Sequence, residues 1–339
     1  MIQLKTRRGL TVHVPETDAE DPSPKFAPAD TSAILDYYRE NGYVVIRGLF
    51  DGSTCDAIRA LWDAEIKAFD GFIYRQASAV PERNILNSQG WVMNPILNLQ
   101  SVDPHRFPKF RHCATENILT SAELSQAFNA VLGEAPKIVQ SMYFEGNTAT
   151  SEHQDSFYLD SEHIGSMAAA WVALEDISPT AGRFFVCPKS HKTDYVAHNA
   201  ANSIVGDYES YFVSIIDKVR QLNMEIRAPK LDRGDVLLWN ALTIHGSLDS
   251  HDPLRSRSSI TCHAIAQSHR FLQLHTRIRA LKTDRVGHAQ IARPKDLALL
   301  KNRVIFWVET NFPHGFAWLK KNAIRLLMKR NTATARAVG

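Results

Sequence analysis

Cysteine is scarce in this chain of 339 residues, and the four present, Cys55, Cys113, Cys187 and Cys262, are far apart and form no C-x-x-C pair. That excludes a disulfide framework and a zinc ribbon, and it leads us to expect a reduced, cytoplasmic protein. Long hydrophobic runs are missing as well: none reaches the roughly 18 residues that a spanning helix needs. The first ten residues carry Lys5, Arg7 and Arg8 with no long apolar stretch behind them, so they do not read as a secretory leader. Charge of one sign is also lacking. The formal net charge is +3, which offers no electrostatic case for nucleic acid as a partner.

What is present is the composition of a globular chain, 44% apolar and 22% charged, with 14 His. Residues 1–30 read as an N-terminal surface segment. A helix is expected from Asp30-Thr31 with Ile34, Leu35 and Tyr38 on one side. The β-branched run Tyr43–Phe50 follows as a buried strand. Ser53 with Asp56, and Thr120 with Glu123, resemble capping boxes that open two further helices. Residues 70–115 have no period and read as a long functional loop. Past Gly133 the pattern becomes strands: Lys137–Phe144, Met167–Glu175, Arg183–Val186, Asp235–Trp239 and Ser259–Ile265, with a helical insertion over 207–224. Helices followed by many short strands predict a β-sandwich or barrel core with helices outside.

The chain is expected to return to helix toward its C-terminus. There Leu319, Ala323, Leu326 and Leu327 form an apolar stripe, with Lys321, Arg325 and Lys329 on another. That basic helix is either docked on the domain or in weak contact with a membrane surface.

The chemistry concentrates in His153-Gln154-Asp155. On an extended backbone a spacing of two puts an imidazole and a carboxylate on one face. A buried-looking strand, Asp235–Trp239, leads later to His245-Gly246. Two His and one carboxylate suit Fe(II), Mn or Zn. On an octahedral ion they leave up to three positions, enough for a bidentate co-substrate and O2. A bidentate 2-oxo acid has a distal carboxylate that calls for the planar fork of an Arg, and both Arg255 and Arg257 enter the strand after His245 on the same parity. His163, just after the motif, and Arg75, Asn84 and Asn87 of the irregular stretch are candidate substrate residues.

Four pieces in order resemble the phytanoyl-CoA dioxygenase family of Fe(II)/2-oxoglutarate oxygenases. They are Glu40–Gly48, then His153-Gln154-Asp155 with Trp171–Asp176, then Gly182–Lys192, and finally Gly234-Asp235 through His245-Gly246-Ser247 to Cys262-His263. The resemblance implies a mainly β fold: a double-stranded β-helix, or jelly-roll, core over about 30–270 with flanking helices. The sequence departs from the family's type member in its irregular 70–115 region and in a further stretch over 271–339, read as a helical extension packed on the same domain. It implies His153, Asp155 and His245 as catalytic iron ligands, and Arg257 rather than Arg255 for 2-oxoglutarate. Trp171, Gln140 and Ser247 are implied near that co-substrate, while His191 and His263 read as structural. Asp155 stands where related halogenases carry a small residue, which points to hydroxylation, desaturation or cyclisation with release of succinate and CO2. The expected partner is a small molecule of specialised metabolism, or alternatively a lipid or acyl thioester, bound by a monomer or homodimer. A zinc hydrolase and a metal-free jelly-roll binding protein are the competing classes.

Overall fold

The computed structural model describes residues 1–146, 149–194, 208–273 and 277–323. α1 (Thr31–Asn41) buries Ile34 and Tyr38 and ends at Gly42, whose φ of 77° is the left-handed conformation that glycine adopts at little cost. A side chain there would also strike His191 and Thr243. β1 (Tyr43–Ile46) follows at once and is buried throughout. α2 (Gly52–Leu61) is capped by Asp51, which accepts from the Thr54 amide, so the box expected at Ser53 and Asp56 is not formed. Ser53 instead donates to the same Asp51 carboxylate. α3 (Ala122–Leu132) is capped by Ser121, not by Thr120 with Glu123.

The strands are β2 (Pro136–Phe144), β3 (Thr150–His153), β4 (Ala168–Ala173), β5 (Phe184–Val186), β6 (Val236–Asn240), β7 (His245–Ser247), β8 (Ser259–Ala266) and β9 (Ala289–Ala292). A helix, α4 (Tyr208–Gln221), sits between β5 and β6, and α5 (Leu300–Asn311) follows β9. The large sheet has nine strands and runs through β9, β2, β8, β4, β6 and β1 in that spatial order. A three-stranded sheet of β5, β7 and β3 faces it. The two sheets and the helices outside them make the jelly-roll core.

Period two gives the large sheet two apolar faces. Val44, Ala170, Val172, Leu238, Ile260 and Cys262 pack with Ile34, Ile58, Trp62, Leu124 and Phe128 of the helical layer. The alternate residues, Tyr43, Val45, Ala169, Trp171, Leu237 and Trp239, pack with Phe184 and Val186 of the small sheet. The functional residues described below lie between this second face and the small sheet.

Two stretches depart from expectation. Within residues 1–30, Ile2–Lys5 and Thr11–Val14 pair as a hairpin, and Val12 and Val14 are fully buried with Phe185, Ala228 and Leu248. Alternating valines on a strand had a sheet face to cover, so this part is core and not surface. Residues 271–292, placed in a helical extension, form strands. β9 runs parallel to β2 and brings Ala289 and Ile291 into the core. It covers a backbone edge that β2 would otherwise leave unpaired. Helix then occupies 300–311 and 313–323. Leu326, Leu327, Arg325 and Lys329 of the expected basic helix lie outside the described residues. Among the described residues no helix is long and apolar enough to cross a membrane.

Candidate metal centre

β3 and β7 pair antiparallel with His153 directly opposite His245, so both imidazoles leave on one face. Gly246 lies between the two sheet-facing residues of β7, where a side chain would meet the Thr150 carbonyl at 2.6 Å. Close pairing of the two strands therefore requires glycine at that position. Gln154 keeps an extended backbone, and Asp155 opens a short 3-10 turn, which turns its carboxylate back toward the two rings. The Tyr211 hydroxyl of α4 accepts from the Gln154 amide at 2.9 Å and its ring stacks on Phe157 at 3.6 Å, fixing the turn from below.

One oxygen of Asp155, Oδ1, lies 3.5 Å from Nε2 of His153 and 3.5 Å from Nε2 of His245. The three ligand atoms all fall within 4.8 Å of one another. The far side of each group is tied off. Nδ1 of His153 meets the Ser151 carbonyl at 2.8 Å and Nδ1 of His245 meets that of Thr243 at 2.9 Å. A carbonyl can only accept, so each Nδ1 carries the proton and each Nε2 turns a lone pair inward. The Trp239 indole donates to Oδ2 of Asp155 at 2.8 Å, which leaves Oδ1 for the shared space. Burial alone would raise the Asp155 pKa, but the imidazoles of His245 and His263 outweigh it and hold the carboxyl well below its usual range. Burial is the largest influence on His245 and lowers its pKa, against the pull of Asp155, which favours the neutral ring that a cation needs. The donor set and its orientation fit a divalent ion such as Fe(II).

Arg257 enters β8 from a fully buried position. Its Nη1 donates to the Gly182 carbonyl at 2.8 Å, its Nε has no partner, and no acidic side chain among the described residues pairs with it. The guanidinium lies over the rings of Phe144 and Trp171, 5.4 and 5.8 Å from their centroids. Burial lowers its pKa to about 9. A buried charge without a counter-charge is costly, and here an anion would relieve that cost. Arg255 is different: it is exposed and 3.7 Å from Asp252.

The other expected residues divide. Trp171 is buried on the inward face beside Arg257. Gln140 stands opposite His263 in the β2–β8 pairing. Ser247 is buried, and its Oγ accepts from the Thr150 amide at 3.0 Å. The residues taken from the loops are not drawn to the triad. Arg75 and Asn84 bond each other at 2.7 Å, and Asn84 also donates to the Ile66, Lys67 and Phe69 carbonyls. Asn87 accepts from the Gln89 and Trp91 amides, closing a turn. His163 is exposed and packs on His269, ring centroids 4.6 Å apart.

The structure also brings in a residue read as merely structural. His263 is buried with its Nε2 3.3 Å from Oδ2 of Asp155 and neither ring nitrogen hydrogen-bonded. The signal for it was parity: Arg257, Ser259, Thr261 and His263 alternate onto one face of β8. His191 does serve the fold, meeting the Arg39 carbonyl at 3.0 Å. Away from the triad, a cavity of about 290 Å³ lies between the 69–107 stretch and the C-terminal part of the chain. It is walled by Phe69, Phe72, Tyr74, Phe107, Leu297 and Phe306.

A jelly roll with two His and one carboxylate converging on its inner wall is the architecture of the non-haem Fe(II) oxygenases. Comparison with known proteins narrows this. The model of the phytanoyl-CoA dioxygenase (PhyH) family matches residues 38–256, and the chain belongs to that family of iron- and 2-oxoglutarate-dependent enzymes. It is 26% identical to phytanoyl-CoA dioxygenase domain-containing protein 1 of Bos taurus, over 68% of this chain and 88% of that one. It is 23% identical to the peroxisomal phytanoyl-CoA dioxygenase of Rattus norvegicus, over 67% of this chain and 66% of that one. Among solved structures, the fold is shared with the non-heme alpha ketoglutarate dependent carbocyclase SnoK from nogalamycin biosynthesis. That match has TM-score 0.55 and 14% identity, and covers 75% of this chain and 91% of the other. It is shared also with EctD from S. alaskensis bound to 2-oxoglutarate and 5-hydroxyectoine, with TM-score 0.53 and 19% identity, covering 83% and 95%.

Proposed function

We propose that His153, Asp155 and His245 hold Fe(II), that Arg257 holds the distal carboxylate of 2-oxoglutarate, and that the enzyme oxidises a small organic molecule of specialised metabolism. When bound, iron and 2-oxoglutarate supply the oxidising power, with O2 consumed, succinate and CO2 released, and a substrate C–H bond hydroxylated, desaturated or closed into a ring.

The chain's own part is orientation and exclusion. The Ser151 and Thr243 carbonyls fix the tautomer of each histidine. Trp239 holds Asp155 so that one oxygen faces the ion. Phe144 and Trp171 flank Arg257 and keep water from its guanidinium, which strengthens its bond to a carboxylate. Gln140 and Ser247 would supply polar side chains near the co-substrate. The observation that carries it is the convergence of three ligand atoms whose other faces are already bonded.

The catalytic unit is the jelly roll of about residues 30–270, completed by the N-terminal hairpin and by β9. It works in the cytoplasm as a monomer or homodimer, and the C-terminal helix makes a weak contact with a membrane surface. The rat relative is named for phytanoyl-CoA, an acyl thioester, and EctD was solved with 5-hydroxyectoine; the low identities favour neither as substrate.

The test is anaerobic reconstitution. The wild type should take up one Fe(II) and then bind 2-oxoglutarate. His153→Ala and Asp155→Ala should bind iron at least roughly 100-fold more weakly and form no succinate. Full iron content and succinate formation in the double variant would refute the assignment, and activity with Zn(II) without O2 would replace it with a hydrolase.

A further inference from the structure

Among the described residues, the C-terminal helices present an exposed apolar surface. α5 turns Asn302, Phe306 and Glu309 toward the domain, and Phe306 meets Tyr74 edge-on with centroids 5.4 Å apart. Its other side carries Leu300, Val304 and Trp307 at helical spacing with Ile305 beside them, all between 46% and 69% exposed. Trp307 packs on Phe312 at 5.8 Å, and Phe312, Trp318 and Leu319 continue the exposed surface. An exposed apolar row of this size, rimmed by charged residues, marks an interaction surface.

Charge says what kind of cover. From Lys301 to Gly339 there are eight Lys and Arg and one acidic residue, Glu309, a net of +7. Set against +3 for the whole chain, that leaves −4 for residues 1–300. Glu309 is buried, whereas Lys301, Arg303, Lys320 and Lys321 are exposed beside the apolar row. A second copy on this face would set one +7 segment against another, because a two-fold contact repeats the same surface. An anionic bilayer meets both needs: headgroup phosphates take the cations, and Trp and Leu enter the interface.

We infer that α5 and the helix after it seat on an anionic membrane surface. Leu300, Val304, Trp307, Phe312, Trp318 and Leu319 enter the headgroup region, while Lys301, Arg303, Lys320 and Lys321 lie on lipid phosphates. The inference rests on the membrane contact proposed above and names the lipid charge and the residues that make it. The seated helix is also the one that sends Phe306 into the aromatic cavity.

The test uses the full chain sedimented with phosphatidylcholine vesicles and with vesicles one-third phosphatidylglycerol. Binding is expected to the anionic vesicles alone, lost at high salt, with a blue shift of tryptophan emission. Each cation near the surface contributes roughly five-fold in affinity, so Lys320→Glu with Lys321→Glu should weaken binding at least about 25-fold. Trp307→Ser with Trp318→Ser should abolish the blue shift; both pairs are exposed, and circular dichroism checks that each variant is folded. Equal binding to both vesicle types overturns the anionic assignment and leaves a membrane contact standing. Binding to neither overturns the contact as well, and a salt-insensitive dimer that buries the tryptophans gives the face to a second copy. None of these readouts depends on turnover.

Discussion

Arg75, in the irregular stretch, and Arg257, on the inner wall of the jelly roll, are both buried, at 0% and 2% relative exposure, and burial lowers their pKa values to about 10 and about 9. Around Arg75 the chain answers the charge itself. Its guanidinium donates to the Asn94 carbonyl at 3.0 Å, to Oδ1 of Asn84 at 2.7 Å and to the Glu82 carbonyl at 3.3 Å. Around Arg257 there is one carbonyl, two aromatic rings and an unbonded Nε. Burial alone therefore does not mark a functional cation. The difference lies in which bonds are left open, and the open ones are those aimed at a ligand.

The comparison can be broken from either side. Arg75→Leu should have the largest effect: one buried and two partly buried acceptors lose their donor at roughly 1–3 kcal/mol each, so a stability loss of about 4 kcal/mol is expected in urea unfolding, with 2-oxoglutarate affinity of the folded fraction unchanged. Arg257→Leu should do the reverse. The dissociation constant for 2-oxoglutarate should rise roughly 100-fold, while the ligand-free protein melts at the same or a higher temperature, because an unpaired buried charge is replaced by an apolar side chain. A fall in its melting temperature as large as that of Arg75→Leu would erase the distinction.

The pH dependence sharpens it. Arg257 has a folded-state pKa below its unfolded value, so its cost is full below about pH 9 and is relieved as pH rises further. The stability advantage of Arg257→Leu should shrink between pH 8 and pH 10, measured as a difference in melting temperature. Trp239→Phe removes the donor to Asp155 and should weaken Fe(II) binding about 10- to 100-fold with the ligands intact. Smallest of all, Arg255→Ala should leave both 2-oxoglutarate binding and stability unchanged within error, because its exposed ion pair with Asp252 contributes little.

The triad was legible because its information is local. Two residues apart on an extended backbone share a face, and His153-Gln154-Asp155 keeps that backbone up to the turn. His245 needed only the strand that precedes it. The choice between Arg255 and Arg257 was not local, since both have the same parity, and the burial that separates them comes from β2 and β4 on either side of β8. The surroundings of His263 were hidden for a related reason: a histidine within an apolar strand usually packs quietly, and only the fold brings Trp239 and Asp155 to it. Arg75, Asn84 and Asn87 looked available because polar residues in an aperiodic stretch give no sign of their partners, which are each other and backbone groups of that stretch and of the helical turn before it. Helix starts slipped by one or two residues where neighbouring Ser, Thr and Asp competed to cap.

β8 carries a practical lesson about where this protein can be cut. The family match stops at residue 256, one position before Arg257 and three before β8 begins. Yet β8 lies in the middle of the large sheet, bonded to β4 on one side and β2 on the other. A clone trimmed to the matched segment would split that sheet, leave two raw edges and discard the proposed carboxylate clamp. An expression fragment needs at least β8, and keeping β9 also spares β2 an open flank.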